Sequence, residues 1–135
     1  MQLEKPDLYG LAPDGRALRL RAARCGDCGE LSFPVVNYGC PQCGAAPERC
    51  TEESLSGAAT LLEFITIHGQ VAPGIAPPIV VGEAELAPGL VEEVVLGVPE
   101  EELALGMRLQ AVPVEIRRGD DTLIACRFVP KEGRT

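Results

Sequence analysis

The chain has 135 residues, a formal net charge of −8 and 46% hydrophobic residues, which suits one modest folded unit with its own core. No run of about 18 apolar residues occurs, so no membrane span is predicted. Residues 50–107 hold ten acids and no Lys or Arg, and the chain has no Trp. A nucleic-acid surface needs cations and aromatic faces, so nucleic acid is not expected as a partner.

The chain begins with an irregular stretch followed by a basic one. Residues 1–15 contain Pro6, Pro13 and a turn-like Asp-Gly, and they lack the apolar run of a signal peptide, so we expect an irregular lead-in on a cytoplasmic protein. Residues 16–24 have the length of one strand or two helical turns. They form the densest basic patch of the chain, with arginines at Arg16, Arg19, Arg21 and Arg24. Such a patch is either a solvated face or a clamp for a phosphorylated ligand or an acidic partner.

Two Cys-x-x-Cys-Gly motifs follow, eleven residues apart. Four cysteines in this spacing can place their thiolates at the corners of a tetrahedron around one metal ion: Cys25, Cys28, Cys40 and Cys43. The two glycines after the motifs are expected in the left-handed conformation, which lets backbone N–H groups point at the sulfurs. Residues 31–38 between the motifs are predicted to form a short apolar hairpin that includes Phe33.

Zinc is the metal that these ligands favour. Disulfides require an oxidising compartment, for which the sequence gives no signal. Iron of the rubredoxin type uses similar knuckles, but its aromatic-rich surroundings are missing. A closed four-cysteine site has no open position for a substrate, so we expect one structural zinc per chain.

Five strand-like runs follow a linker at residues 45–56. They cover residues 58–68, 78–86, 90–98, 107–117 and 122–129, with a helical turn at residues 99–103 before the fourth run. Ile124, Cys126 and Phe128 in the last run are expected to point into the core, and Pro113 must lie at a sheet edge or a bulge. Three strands, a short helix and two more strands is the order of an OB-fold, a five-stranded barrel.

The predicted fold class is therefore mostly β, with a rubredoxin-like zinc ribbon followed by a five-stranded OB-fold barrel. The expected organisation is a lead-in at residues 1–15, the ribbon at 16–50, the barrel at 51–130 and a flexible tail at 131–135.

The ordered set of motifs resembles a known family. These are the small accessory proteins that combine a rubredoxin-like zinc ribbon with an OB-fold and occur beside thiolases and related acyl-CoA enzymes. The resemblance covers roughly residues 16–130 and rests on both cysteine motifs, Phe33-Pro34, Ile67-His68, the Pro-rich loop before Ile79, and the stretch from Leu96 to Met107.

This resemblance implies a zinc-binding subunit of a hetero-oligomer in which a thiolase-fold chain holds the catalytic cysteine and histidines. Family members accompany acetoacetyl-CoA thiolase, hydroxymethylglutaryl-CoA synthase, acyltransferases of phloroglucinol formation, steroid side-chain enzymes and benzoylsuccinyl-CoA thiolase. The small chain binds the catalytic chain and contacts the coenzyme A thioester at the interface. It is not expected to catalyse the reaction by itself.

Several further residues are candidates for binding the partner or acyl-CoA. His68 lies where the first barrel strand meets a loop, and the alternative is a histidine packed at the barrel rim. That loop, residues 69–78, is uncharged and apolar, and it includes Val71, Pro73 and Ile75. If this chain touches the phosphates of coenzyme A, the cations must come from the arginines at residues 16–24 or from Arg117 and Arg118.

Two other functions remain open at this point. One is a nucleic-acid module built from the ribbon and the barrel, which the acidic composition disfavours. The other is a stand-alone hydrolase with Cys126 and His68 as nucleophile and base.

Overall fold

The computed structural model describes residues 2–35, 38–70 and 76–131. The described strands, in chain order, are β1 (Gln2–Leu3), β2 (Tyr9–Leu11), β3 (Leu18–Cys25), β4 (Leu31–Ser32), β5 (Cys50–Leu55), β6 (Ala58–Ile67), β7 (Ile79–Ala87), β8 (Leu90–Leu96), β9 (Arg108–Arg118) and β10 (Asp121–Pro130). Short 3-10 turns lie at Pro47–Arg49 and Glu100–Glu102. The described residues include no helix long and apolar enough to cross a membrane.

The first sheet is built around β3. Its residues alternate between buried Leu18, Leu20 and Ala22 and more exposed arginines, which is the period of a strand and not of a helix. β5 pairs with β3 in antiparallel register from Leu20 to Cys25. β2 pairs with the first part of β3 and β4 with its last part.

The second sheet is a barrel in the order β6-β7-β8-β10-β9, closed by the pairing of β9 with β6. Neighbouring strands are antiparallel except β8 and β10, which run parallel and meet at one pair, Leu96 and Phe128. The 3-10 turn at Glu100–Glu102 lies between β8 and β9, so the predicted OB-fold order is confirmed. Pro113 lies beyond the three residues of β9 that pair with β6, which confirms its predicted edge position.

One hydrophobic core joins the two sheets. Leu18 of the first sheet and Leu61 and Leu109 of the barrel are each 0% exposed, and they belong to the same cluster. Phe128 is buried in this cluster and Cys126 packs against it, as predicted, whereas Ile124 lies outside it. The ribbon sheet therefore rests on the barrel as an integral layer.

Two predictions about irregular segments are wrong. The expected linker at residues 45–56 contains β5, whose six residues complete the ribbon sheet. The expected irregular lead-in contains β1, which pairs in parallel with β10, and β2, which pairs with β3. Within the predicted hairpin at residues 31–38, the structure has the short strand β4, which pairs antiparallel with β3. Residues 36 and 37 of this hairpin lie outside the described residues, and so do residues 132–135 of the predicted tail.

Candidate metal centre and adjoining cavities

The first knuckle turns the chain so that backbone N–H groups face a sulfur. The N–H groups of Asp27 and Cys28 donate to Sγ of Cys25 at 3.3 and 3.4 Å. Gly29 closes the turn with φ of 79° and donates its N–H to the Cys25 carbonyl at 3.0 Å. The Cys28 N–H is the main cause that lowers the pKa of the Cys25 thiol to about 6, because it stabilises the thiolate.

The second knuckle repeats this geometry. The N–H groups of Gln42 and Cys43 donate to Sγ of Cys40 at 3.3 and 3.4 Å. Gly44 has φ of 78° and donates to the Cys40 carbonyl at 3.0 Å. The predicted left-handed glycines are thus confirmed in both knuckles. Each knuckle directs two backbone N–H groups at a cysteine sulfur, and such donors stabilise a metal-bound thiolate.

The four sulfurs of the two knuckles converge. All lie within 4.8 Å of one another, and the Sγ separations of Cys25 from Cys43 and of Cys28 from Cys40 are both 3.6 Å. A tetrahedral zinc site with Zn–S bonds of about 2.3 Å has edges of about 3.8 Å. The donor set and its spacing therefore fit zinc, and four thiolates fill its coordination sphere, as a structural site requires.

A fifth cysteine borders this centre. Cys50, the first residue of β5, pairs directly with Cys25 in the β3–β5 register. Burial, and next the neighbouring Cys25, raise the pKa of the Cys50 thiol. Cys50 therefore stays protonated at neutral pH and is not one of the four sulfurs that converge. The sequence gives no local signal for this contact, because Cys50 meets Cys25 only when β5 pairs with β3.

The predicted basic patch is divided between two faces of the first sheet and paired with β5. Nε of Arg21 lies 2.7 Å from Glu52, and Nη2 of Arg24 lies 2.9 Å from Glu53. Arg19 donates to the Ser54 hydroxyl at 2.7 Å. These contacts favour the interpretation of a solvated, internally paired face, and a binding role of the three arginines stays a prediction.

The other predicted binding residues lie apart. Arg118 forms an ion pair with Glu4, whereas no ion pair involves Arg117 within the described part of the chain. His68 is exposed at the end of β6. The predicted residues Val71, Pro73 and Ile75 lie outside the described residues.

An apolar cavity of about 310 Å³ lies between the lead-in, the ribbon and the barrel. Its lining includes residues of β8 and β10, the two strands that share one residue pair, and Phe33 of the ribbon forms part of its wall. Ile79, Val94 and Cys126 of the barrel also line it. Phe33, predicted as a binding residue, is therefore placed at the junction of the two layers.

Cys126 lies in the wall of this cavity, and burial raises the pKa of its thiol to about 12 from 9.0. At pH 8 a rise of this size lowers the thiolate fraction about a thousandfold. We expect iodoacetamide to alkylate Cys126 very slowly in the folded protein at pH 8 and rapidly in urea, as measured by peptide mass spectrometry. Rapid modification of the folded protein would contradict this placement.

The same shift makes the fold sensitive to high pH. Because its pKa is raised, the Cys126 thiol of the folded protein keeps its proton at pH values where the same thiol of the unfolded chain has ionised. The contribution of Cys126 to stability is therefore complete below the ordinary thiol pKa and is lost as the pH rises toward 12.

A second, open hollow of about 700 Å³ contains His68. Pro78, Pro99 and Glu100 also line it, and Arg127 lies at the boundary of both hollows. Cys126 faces the first hollow and His68 the second, and no hydrogen bond among the described residues joins them. The proposed nucleophile–base pair of a stand-alone hydrolase is not assembled.

Arg127 and Glu92 were missed by sequence analysis. Arg127 donates to the Cys126 carbonyl at 2.9 Å, and burial raises the pKa of the Glu92 carboxyl beside the apolar cavity. Neither residue belongs to a motif, and their place at the cavity follows from strand pairing alone. No sequence signal could have identified them.

Comparison with known proteins agrees with both layers of the fold. Residues 14–48 match the family described as ChsH2, rubredoxin-like zinc ribbon domain. A chain of the solved Ltp2-ChsH2(DUF35) aldolase is 26% identical to this protein, with a TM-score of 0.63, and the alignment covers 83% of this chain and 84% of that chain. A search of curated proteins found no significant match.

The ribbon match includes all four converging cysteines, and the structural match extends through the barrel. Residues 14–48 are therefore a zinc ribbon of the ChsH2 type, and the chain is a zinc-ribbon/OB-fold protein similar to a chain of the Ltp2-ChsH2(DUF35) aldolase.

Proposed function

We propose that the protein is a non-catalytic, zinc-binding subunit that docks on a thiolase-fold catalytic chain in the cytoplasm. The complex would form or cleave carbon–carbon bonds of acyl-CoA thioesters, of which benzoylsuccinyl-CoA and acetoacetyl-CoA are examples. The observation that carries this proposal is the similarity, over ribbon and barrel together, to a chain of an aldolase whose description pairs Ltp2 with ChsH2(DUF35).

The chemistry of the chain supports this division of roles. The four thiolates fill a tetrahedral zinc sphere, which leaves no position for a substrate carbonyl. Cys126 keeps its proton, and His68 lies in a different hollow. A companion chain therefore has to provide the nucleophile and base of the reaction.

The apolar cavity is the best candidate on this chain for the acyl part of the thioester. Phe33 and the side chains of four barrel strands give it apolar walls, and burying apolar ligand surface against them contributes about 25 cal/mol per Å².

Coenzyme A carries phosphates, and their binding needs cations that are free to pair. The arginines Arg21 and Arg24 are already bound to carboxylates. Arg117 and Arg127 have no carboxylate partner within the described residues. We propose that Arg117, which the sequence predicts for this role, and Arg127, which lines both hollows, bind the phosphates.

Affinity capture of the tagged full-length chain from its native cells, followed by mass spectrometry, tests the proposed partner. We expect a thiolase-fold protein in roughly stoichiometric amount, and thioester turnover by the complex but not by the isolated chain. The Phe33→Asp variant should weaken use of the acyl group while zinc content is unchanged. Absence of any thiolase-fold protein, or turnover by the isolated chain, would refute the proposal.

The phosphate contact has a separate test on the purified complex. We expect the double variant Arg117→Glu/Arg127→Glu to bind coenzyme A at least about tenfold more weakly, since each charge-assisted contact contributes about 1.5–3 kcal/mol. Lys131→Glu is the matched charge reversal at the end of the barrel. Equal affinities of the double variant and this control would show that the phosphates bind elsewhere.

A further inference from the structure

The pairing of Cys50 with Cys25 has a special geometry. Gly26 directly follows Cys25 at the end of β3, and Arg49 directly precedes Cys50 at the start of β5. The Gly26 N–H donates a hydrogen bond to the Arg49 carbonyl at 2.7 Å. In an antiparallel ladder this pattern identifies Cys25 and Cys50 as a non-hydrogen-bonded pair. The side chains of such a pair lie on the same face and approach most closely.

The strands are held close at this position. A Cβ on Gly26 would lie 2.8 Å from the Arg49 carbonyl oxygen, so the contact depends on glycine. Non-hydrogen-bonded pairs have Cα atoms about 4.5 Å apart, and disulfides bridge Cα separations of about 4.4–6.8 Å. Cys25 and Cys50 can therefore form a disulfide without separating the two strands.

We propose that Cys25 and Cys50 are an oxidative modification site at which a disulfide replaces a zinc–sulfur bond. Four of the five neighbouring thiols are used by the metal, and Cys50 is the remaining one that faces a ligand directly. The protein would thereby release zinc in response to peroxide.

The reaction balances with hydrogen peroxide as the two-electron oxidant. The Cys25 thiolate attacks the peroxide O–O bond, giving a sulfenic acid and hydroxide. The Cys50 thiol then attacks the Cys25 sulfur, the disulfide forms, and water leaves. The hydroxide takes a proton from solvent, so two waters result. Only Cys28, Cys40 and Cys43 would then remain to hold zinc, which would weaken its binding.

The four sulfurs of the centre differ in exposure. Cys28 and Cys43 are exposed, whereas Cys25 and Cys40 are buried. Among the four candidate ligands, Cys25 is the one that pairs with Cys50 in the β3–β5 ladder. Cys50 gives the centre a resolving thiol next to Cys25, and redox-sensing sites often have such a thiol beside the cysteine that is oxidised.

The test treats the zinc-loaded full chain with hydrogen peroxide, follows released zinc with a chromogenic chelator, and maps disulfides in an unreduced digest by mass spectrometry. We expect a Cys25–Cys50 cross-link that appears as zinc is released. The Cys50→Ser variant should lose the cross-link and release zinc at least about tenfold more slowly, since the resolving thiol no longer adjoins the oxidised sulfur. Cys126→Ala should behave as the unmodified protein does.

The map in the unmodified protein decides the matter even if the serine variant folds poorly, and Cys50→Ala provides a second variant. Dithiothreitol with added zinc should remove the cross-link and restore zinc content. The proposal is overturned if disulfides form among the four ligands instead, if Cys50→Ser releases zinc as fast as the unmodified chain, or if reduction fails to restore the metal.

Discussion

The Cys40→Ser variant should lose its zinc and, with it, the folded ribbon. Cys40 supplies one of the four converging sulfurs and accepts two backbone hydrogen bonds that shape the second knuckle. Structural zinc in small domains contributes about 10–16 kcal/mol of apparent binding free energy, which is comparable to the whole stability of a protein. Metal analysis should fall from about one zinc per chain toward zero.

Limited proteolysis gives the structural readout for this variant. We expect new cleavage within residues 25–50 in the variant, whereas Cys126→Ala, which removes a thiol away from the metal, should keep both its zinc and its resistance. A metal-free Cys40→Ser chain with unchanged proteolysis and thermal unfolding would show that zinc has no structural role.

Leu109→Ala should strongly destabilise the barrel. Leu109 is 0% exposed and lies in the cluster that joins β9 to the first sheet. Truncating a fully buried leucine costs about 2–5 kcal/mol, because apolar contacts are lost and a cavity remains. For a chain of this size the melting temperature should fall by roughly 10 °C or more.

Leu105→Ala is the matched control, since Leu105 is 67% exposed. It removes the same atoms from a surface site, and its melting temperature should stay close to that of the unmodified protein. Similar losses for the two variants would mean that the core is not where the structure places it.

The metal centre could be predicted because its signal is local. Two knuckles are each specified within five residues, and glycine is the residue that adopts the required positive φ without strain. The barrel strands could be predicted because the alternation of residues such as Val80, Ala84 and Leu86 has the period of a strand and because Gly and Pro mark the turns.

The sheet partners of the short strands could not be predicted in the same way. None of the six residues of β5 is buried, and its glutamates gain arginine partners only when β3 lies beside them. β1 has two residues, and its pairing with β10 joins segments more than a hundred residues apart. The cavities and the Cys25–Cys50 pair depend on these long-range contacts, so the sequence alone does not predict them.

The common core of ribbon and barrel limits how such a protein can be recombined. Tyr9, Leu18 and Leu20 on the ribbon side pack in the same cluster as Leu109 and Phe128 of the barrel. A chimera that exchanged the ribbon alone would bring foreign side chains into a close-packed interior. The metal knuckles are therefore portable, whereas the sheet that carries them has to be inherited together with its barrel.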